Sequence, residues 1–283
     1  VDLHQHLTPA TIVAEVRMTR SLRKHCAILI VEGPSDSRFW KPLVSQRCEI
    51  IIAGGKGNLI NAVRLLSQDS WEGIVGVADA DLDRIRATSK ESDNLIYTDC
   101  HDLETTLLGR TSVLVEILHQ YASAHQVRSF EDSEDATVRE ALLERSLAFG
   151  RLRWHALEQN PPLDMHWLKP SRYLTKRWSI DWHELLKDAV ESGLSRNPRQ
   201  LEADLDELPQ VDPWDVVQGH DMLKLLYEGL RHRLGRGQSR PLGLGDLDRA
   251  LRSWVEQPEL DELEMMEKLR AWQGRNSKFR VLG

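Results

Sequence analysis

Long apolar runs are missing from this chain, and none approaches the roughly 20 residues a membrane-spanning helix needs. No membrane partner is therefore expected. Cysteine is scarce: Cys26, Cys48 and Cys100 are the three present, and no two form a CxxC. That spacing predicts reduced thiols and excludes a zinc ribbon or a disulfide framework. The opening VDLHQHLTPA has neither the basic start nor the apolar stretch of a secretory signal, so a cytoplasmic location is expected. Basic charge is in deficit, with 37 Lys and Arg against 44 Asp and Glu and a net charge of -7. Such a balance argues against a protein that grips nucleic acid over its whole surface, while leaving room for a local basic groove. The GxxxxGK[ST] phosphate loop, internal repeats and low-complexity tracts are absent as well.

The remaining composition, 41% hydrophobic and 29% charged, is that of an ordinary globular chain of one or two domains. In the first hundred residues, short apolar runs at 27–31 (AILIV), 49–53 (EIIIA), 74–78 (IVGVA) and 95–97 (LIY) read as strands. They are rich in β-branched residues and nearly uniformly apolar, as expected of strands covered on both faces. Residues 36–46 and 58–67 between them have helical spacing, carried by Phe39, Leu43 and Val44 and by Leu59, Ile60, Val63 and Leu66. Alternating strands and helices predict βαβ units and a mostly parallel, Rossmann-like α/β sheet with flanking helices. A lead-in helix over 8–24 is predicted, with Thr8 as its N-cap and Pro9 at its first position.

After Glu104 the strand-like runs nearly vanish, and helical patterns cover 111–125, 137–155, 182–192, 214–234, 246–256 and 259–273. The acidic SFEDSED at 129–135 reads as an exposed loop. Eight of nine tryptophans fall after residue 70, and most of those after residue 150. They serve either as core filler for a helical region or as a stacking face for bases.

The chemistry concentrates at strand ends. The first strand runs into Glu32-Gly33-Pro34-Ser35-Asp36 and the third into Asp79-Ala80-Asp81-Leu82-Asp83. Ligands of parallel sheets gather at the carboxyl ends of strands near the topological switch point. Neighbouring strands lie about 5 Å apart, so Glu32 and Asp79 share one small volume if their strands are adjacent. Crowded carboxylates repel unless a cation joins them, and hard oxygen ligands select Mg²⁺ or Mn²⁺. Gly33 leaves room for a phosphate, and the helix start near Ser35 and Asp36 is a candidate anion site. The glycine-rich Gly54-Gly55-Lys56-Gly57-Asn58 closes the second strand on the same edge. Lys56 there either contacts a phosphate or belongs to a plain strand-to-helix turn.

The apolar strand ending in Glu-Gly, followed by helix, strand, helix and a strand ending in Asp-x-Asp, resembles the Toprim domain over roughly residues 25–108. That fold is shared by topoisomerases, bacterial primases, recombination-repair proteins and overcoming-lysogenization-defect nucleases. VEGPSDSRFW, VADADLD, TDCHDLETTLL and the later GHDMLKLL are similar to a prokaryotic Toprim-like family that includes the Toprim effector of the PARIS anti-phage system, which works with an ABC-type ATPase. The resemblance implies an N-terminal helix over 1–24, a Toprim catalytic domain over 25–110 and a helical domain over 111–283 packed on or beside it. It also implies Glu32 as catalytic glutamate or metal ligand and Asp79 and Asp81 as Mg²⁺ ligands, with Asp83 a less essential third carboxylate. His101, Asp102 and Glu104 follow the fourth strand and are candidates for a catalytic group, an orienting partner and a further ligand respectively.

Two groups from the helical half complete the expectations. His220 and Asp221 either face the site or cap a buried helix start. Lys169, Arg172, Lys176 and Arg177, interleaved with Trp167, Tyr173 and Trp178, are the expected nucleic-acid groove, against the alternative of basic side chains lying over tryptophan on an ordinary surface. Phosphodiester hydrolysis of DNA or RNA, with Mg²⁺ as cofactor, is the expected chemistry. Expected partners are the nucleic-acid substrate and, by resemblance, an ABC-type ATPase, with a homodimer left open. A DxD glycosyltransferase is a rival that leaves Glu32 unexplained. A dehalogenase-type phosphatase carries its DxD on the first strand rather than the third. A non-catalytic Toprim module that docks an ATPase is the third rival.

Overall fold

A Thr-Pro pair starts the first helix. In the computed structural model, which describes residues 7–90, 92–236 and 243–283, α1 spans Pro9–Leu22 and the Thr8 hydroxyl accepts from the Thr11 amide at 3.2 Å. This is the cap the sequence predicts. Residues 1–6, the start of the expected segment 1–24, lie outside the described residues.

The apolar runs form β1 (Ala27–Val31), β2 (Cys48–Ile52), β3 (Ile74–Ala78) and β4 (Leu95–Tyr97), joined through α2 (Pro34–Trp40) and α3 (Lys56–Gln68). All pair in parallel, in the order β2-β1-β3-β4. The architecture is α/β, a four-stranded parallel sheet flanked by helices. β1 and β3 are central and buried at every residue, whereas β2 at one edge is partly exposed. The chain leaves β1 toward β2 on one side and places β3 on the other, so the switch point lies between β1 and β3.

One sheet face presents Ile28, Ile30 and Ile51 to Ile12 and Val16 of α1 and to Leu59, Val63 and Leu66 of α3. Gly76 in β3 permits this packing. A Cβ there would lie 2.8 Å from Val63 Cγ2 and 2.9 Å from Leu59 Cδ2, closer than side chains approach. α2 is shorter than the predicted 36–46, because the chain turns at Lys41 before Pro42.

The chain divides into two compact units, 7–103 with 256–283, and 104–255. The stretch expected as a single helical domain, 111–283, therefore gives its end to the sheet unit. In that unit, α12 (Gln257–Asp261) precedes α13 (Glu264–Arg275), which packs against β4. The Asp99 carboxylate accepts from the Glu264 and Met265 amides at 2.7 and 2.8 Å, and Trp272 donates to Asn94 Oδ1 at 2.9 Å. The tail then returns to α2's exit, where the Ser45 amide donates to Val281 O at 2.7 Å.

The other unit is helical: α4 (Leu103–Arg110, beginning one residue earlier), α5 (Val113–Tyr121), α6 (Ala124–Glu134), α7 (Val138–Glu158), α8 (Trp182–Glu191), α9 (Pro198–Asp206), α10 (Gly219–Gly229) and α11 (Leu244–Ser253). The SFEDSED segment, expected as a loop, is helical through Glu134 in α6. Its acidic residues lie on the exposed side of that helix while Phe130 is fully buried, and one deep anchor secures an otherwise polar helix. Tyr173 and Trp178 are buried too, and Trp178 donates to Leu225 O at 2.7 Å. Among the described residues, no helix is long and apolar enough to cross a membrane.

Candidate functional site

Because β1 and β3 are adjacent, with Val31 opposite Val77, the residues that follow them meet. The Asp79 amide donates to Glu32 Oε1 at 2.9 Å, and Asp79 Oδ1 accepts from the Leu103 amide at 3.2 Å. Glu32, Asp36, Trp40, Asp79, Thr98 and Leu103 line a small cleft at this carboxyl edge. Burial pushes the Glu32 carboxyl up from 4.5 to about 7; the Asp79 amide opposes the shift, and the Asp81 and Asp36 charges add to it.

The turn after β3 is bent by Asp81, whose φ of 49° is in the left-handed region, a conformation Asp tolerates better than most residues. Three contacts hold it. The Asp81 amide donates to His101 O at 2.6 Å, the Ala80 amide donates to Thr98 Oγ1 at 3.0 Å, and Thr98 donates to Cys100 O at 2.9 Å. Arg84 adds hydrogen bonds to the Thr98 and Asp99 carbonyls. Thr98 and Arg84 were not anticipated as site residues. Only their nearness to strand ends marks them in the sequence, and that is too common a feature to single them out.

Lys56 reaches this turn from the start of α3. Gly55, at φ 126°, gives the backbone the bend that aims the helix start there. The ammonium lies 2.9 Å from Asp81 Oδ2, 2.8 Å from Asp83 Oδ2 and 3.1 Å from Ala80 O. Burial works to lower the Lys56 pKa, but hydrogen bonds to Asp83 and Asp81 outweigh it, so the group stays charged well above neutrality. Asp83 is likewise partly desolvated, yet Lys56 and Thr88 bring it below its ordinary value. Lys56, expected at a phosphate, here serves as counterion to the acidic turn. Asp83, expected as the least essential carboxylate, is one of its two partners.

Among the described residues, no three His, Cys, Asp or Glu side chains converge as a ready cation site. The donor set nonetheless fits a hard divalent ion in its chemistry. All its members are carboxylates, and two of them already bind a cation, the Lys56 ammonium.

Other expected site residues are engaged within the fold. Asp36 lines the cleft, and its Oδ2 accepts from the Gly33 amide at 2.9 Å. That hydrogen bond fills the helix start expected to attract an anion, and a carboxylate there repels one. His101 is buried with Nε2 3.6 Å from Asp81 Oδ1, so it touches the acidic turn, and Asp102 is buried next to it in sequence. Glu104, expected as a further metal ligand, is in an ion pair with Arg252 of α11, which also bonds Asp248 at 3.0 Å. A carboxylate neutralised by a buried guanidinium is a poor cation ligand. Asp221 is buried and paired with Arg153 of α7, whereas His220 is exposed. The expected basic groove is altered in the same way. Tyr173 and Trp178 belong to the core, and Arg172 is drawn to Asp188 at 2.9 Å and Glu184 at 3.4 Å. Lys169, Lys176 and Arg177 remain exposed.

No protein-family model and no curated protein sequence matches the chain.

Proposed function

We propose that this protein is a Toprim-type, divalent-metal-dependent nuclease that hydrolyses phosphodiester bonds in DNA or RNA. One observation carries the reading: Glu32 and Asp79 meet at the switch point of a β2-β1-β3-β4 parallel sheet, beside the Asp81–Asp83 turn. A Glu-Gly after the first strand and an Asp-x-Asp after the third, on neighbouring strands, is the arrangement the Toprim resemblance implies. A role in prokaryotic anti-phage defence, with an ABC-type ATPase as partner, rests on that resemblance alone.

Asp79, Asp81 and Asp83 are the residues that would hold Mg²⁺ or Mn²⁺, which when bound polarises a phosphoryl oxygen and stabilises the leaving oxyanion. Glu32, with its pKa raised to about 7 by burial, is matched to accept a proton from water near neutral pH. The Asp79 amide fixes the orientation of its carboxylate. Lys56, paired with Asp81 and Asp83, sets the charge of this edge and would be freed to donate to a phosphate oxygen once those carboxylates held a metal. His101 O and Thr98 hold the acidic turn in place.

The purified chain with Mg²⁺ or Mn²⁺ is expected to cut DNA or RNA, with a rate that rises with pH through about 7. Glu32→Gln and Asp79→Asn should each lower that rate by about a hundredfold or more and leave the circular-dichroism spectrum unchanged. Equal inertness of wild type and Glu32→Gln, with an ATPase partner present, overturns the reading. That outcome favours a second one, which the Lys56 ion pairs support: the acidic edge is neutralised internally and the domain serves to dock the ATPase.

A further inference from the structure

In a chain with net charge -7, residues 230–236 carry Arg231, His232, Arg233 and Arg236 and no acid. They form a π-helical turn, Leu230–Leu234, and the two residues after it. Leu230 and Leu234 are buried, so the turn is anchored by its ends. Arg231 and His232 project outward, with side chains 49% and 58% exposed. The wide π turn thus offers adjacent nitrogen donors on the surface, a local irregularity often found at functional sites.

Two depressions in the helical unit adjoin this turn, and His232 lines both. One is formed by Lys176, Ser171 and Thr175 with His232; the other by His125 at the start of α6 with Arg231, His232 and Arg236. Arg236 is held in place by hydrogen bonds to Ala122 O at 2.6 Å and His119 O at 2.5 Å. The positive end of the α6 dipole adds to the field. Glu228, which lines the first depression, is shared between Arg231 at 3.7 Å and His232 at 3.3 Å. Lys176 has no ion pair among the described residues. Trp178, which lines the first depression, is 2% exposed, and the half-buried Tyr227 ring is covered by the Arg231 guanidinium 5.4 Å from its centre, so neither offers a free face for stacking.

We infer that the ridge of Lys176, Arg231, His232 and Arg236, with His125, is a binding surface for the phosphate backbone of nucleic acid. It recognises charge rather than bases, since it combines several exposed donors with no stacking platform. The surface lies wholly within the helical unit and does not depend on the catalytic reading.

The test is fluorescence anisotropy of the full chain in EDTA, with a fluorescein-labelled duplex DNA and a single-stranded RNA as probes. Wild type and Glu32→Gln should bind at least one probe equally, with affinity that falls steeply as salt rises. Lys176→Gln/Arg231→Gln should bind about tenfold more weakly and flatten the log–log salt slope by about 2. Glu228→Gln should tighten binding. Arg196→Gln/Arg199→Gln, the same charge change at exposed positions outside both depressions, should stay within about twofold of wild type. The inference is overturned if neither probe binds, if Lys176→Gln/Arg231→Gln binds like wild type, if Arg196→Gln/Arg199→Gln loses as much, or if poly-glutamate of matched charge competes as well as unlabelled DNA. Binding without metal-dependent cleavage would instead count against the nuclease reading alone.

Discussion

Glu32 lies where function and stability pull apart. Its carboxyl is raised from 4.5 to about 7 by burial, so the folded protein holds this proton more tightly than the unfolded chain does. As pH rises from about 4.5 to about 7, the unfolded chain gives up the proton first and folding stability falls; above about 7 the loss is complete. The raised value corresponds to a cost of about 3 kcal/mol at alkaline pH. Gln keeps an acceptor for the Asp79 amide without the charge. Glu32→Gln is therefore expected to be little different from wild type in urea unfolding at pH 4.5 and more stable by about 2–3 kcal/mol at pH 8. A stability difference that is the same at both pH values would show that Glu32 is not buried as a neutral acid. At the same scale, Lys56 offsets the repulsion between two carboxylates in one turn, since its ammonium lies within 2.9 Å of both.

Among the elements, β3 is the most constrained. It is buried throughout, its register against β1 places Asp79 beside Glu32, and Gly76 at its centre lets α3 lie close. Gly76→Ala should force Val63 and Leu59 out of their packing and lower the urea midpoint by an amount equal to about 1–3 kcal/mol. A variant as stable as wild type would mean that α3 can move away at no cost. The helices of the other unit bury apolar faces, as α8, α10 and α11 do, and single aromatic anchors add to that packing. Phe130 in α6 and the Trp178 indole against Leu225 O are examples. Such anchors also account for the aromatic residues of the expected nucleic-acid groove lying in the core.

At the scale of the whole molecule, the sheet unit is discontinuous in sequence, with 256–283 returning to complete it. Trp272, Phe279 and Val281 are buried there, and Asp99 caps α13. Truncation after Val255 should therefore expose the flank of β4 and abolish cooperative unfolding of the sheet unit, read as loss of near-ultraviolet circular dichroism. Retention of that signal would make the C-terminal segment dispensable. The sequence by itself determined what depends on neighbours along the chain. Three strands match residue for residue, the Thr8-Pro9 helix start is as predicted, and the acidic groups fall at strand ends. These features follow from β-branched runs, from a hydroxyl three residues before an amide, and from chain direction in βαβ units. Only the tertiary structure decided the rest. It made β1 and β3 neighbours, set Lys56 between Asp81 and Asp83, bound Glu104 to Arg252 and buried Tyr173 and Trp178. Those outcomes turn on which charged and aromatic groups, far apart in sequence, compete for the same buried space, and local pattern carries no record of that competition.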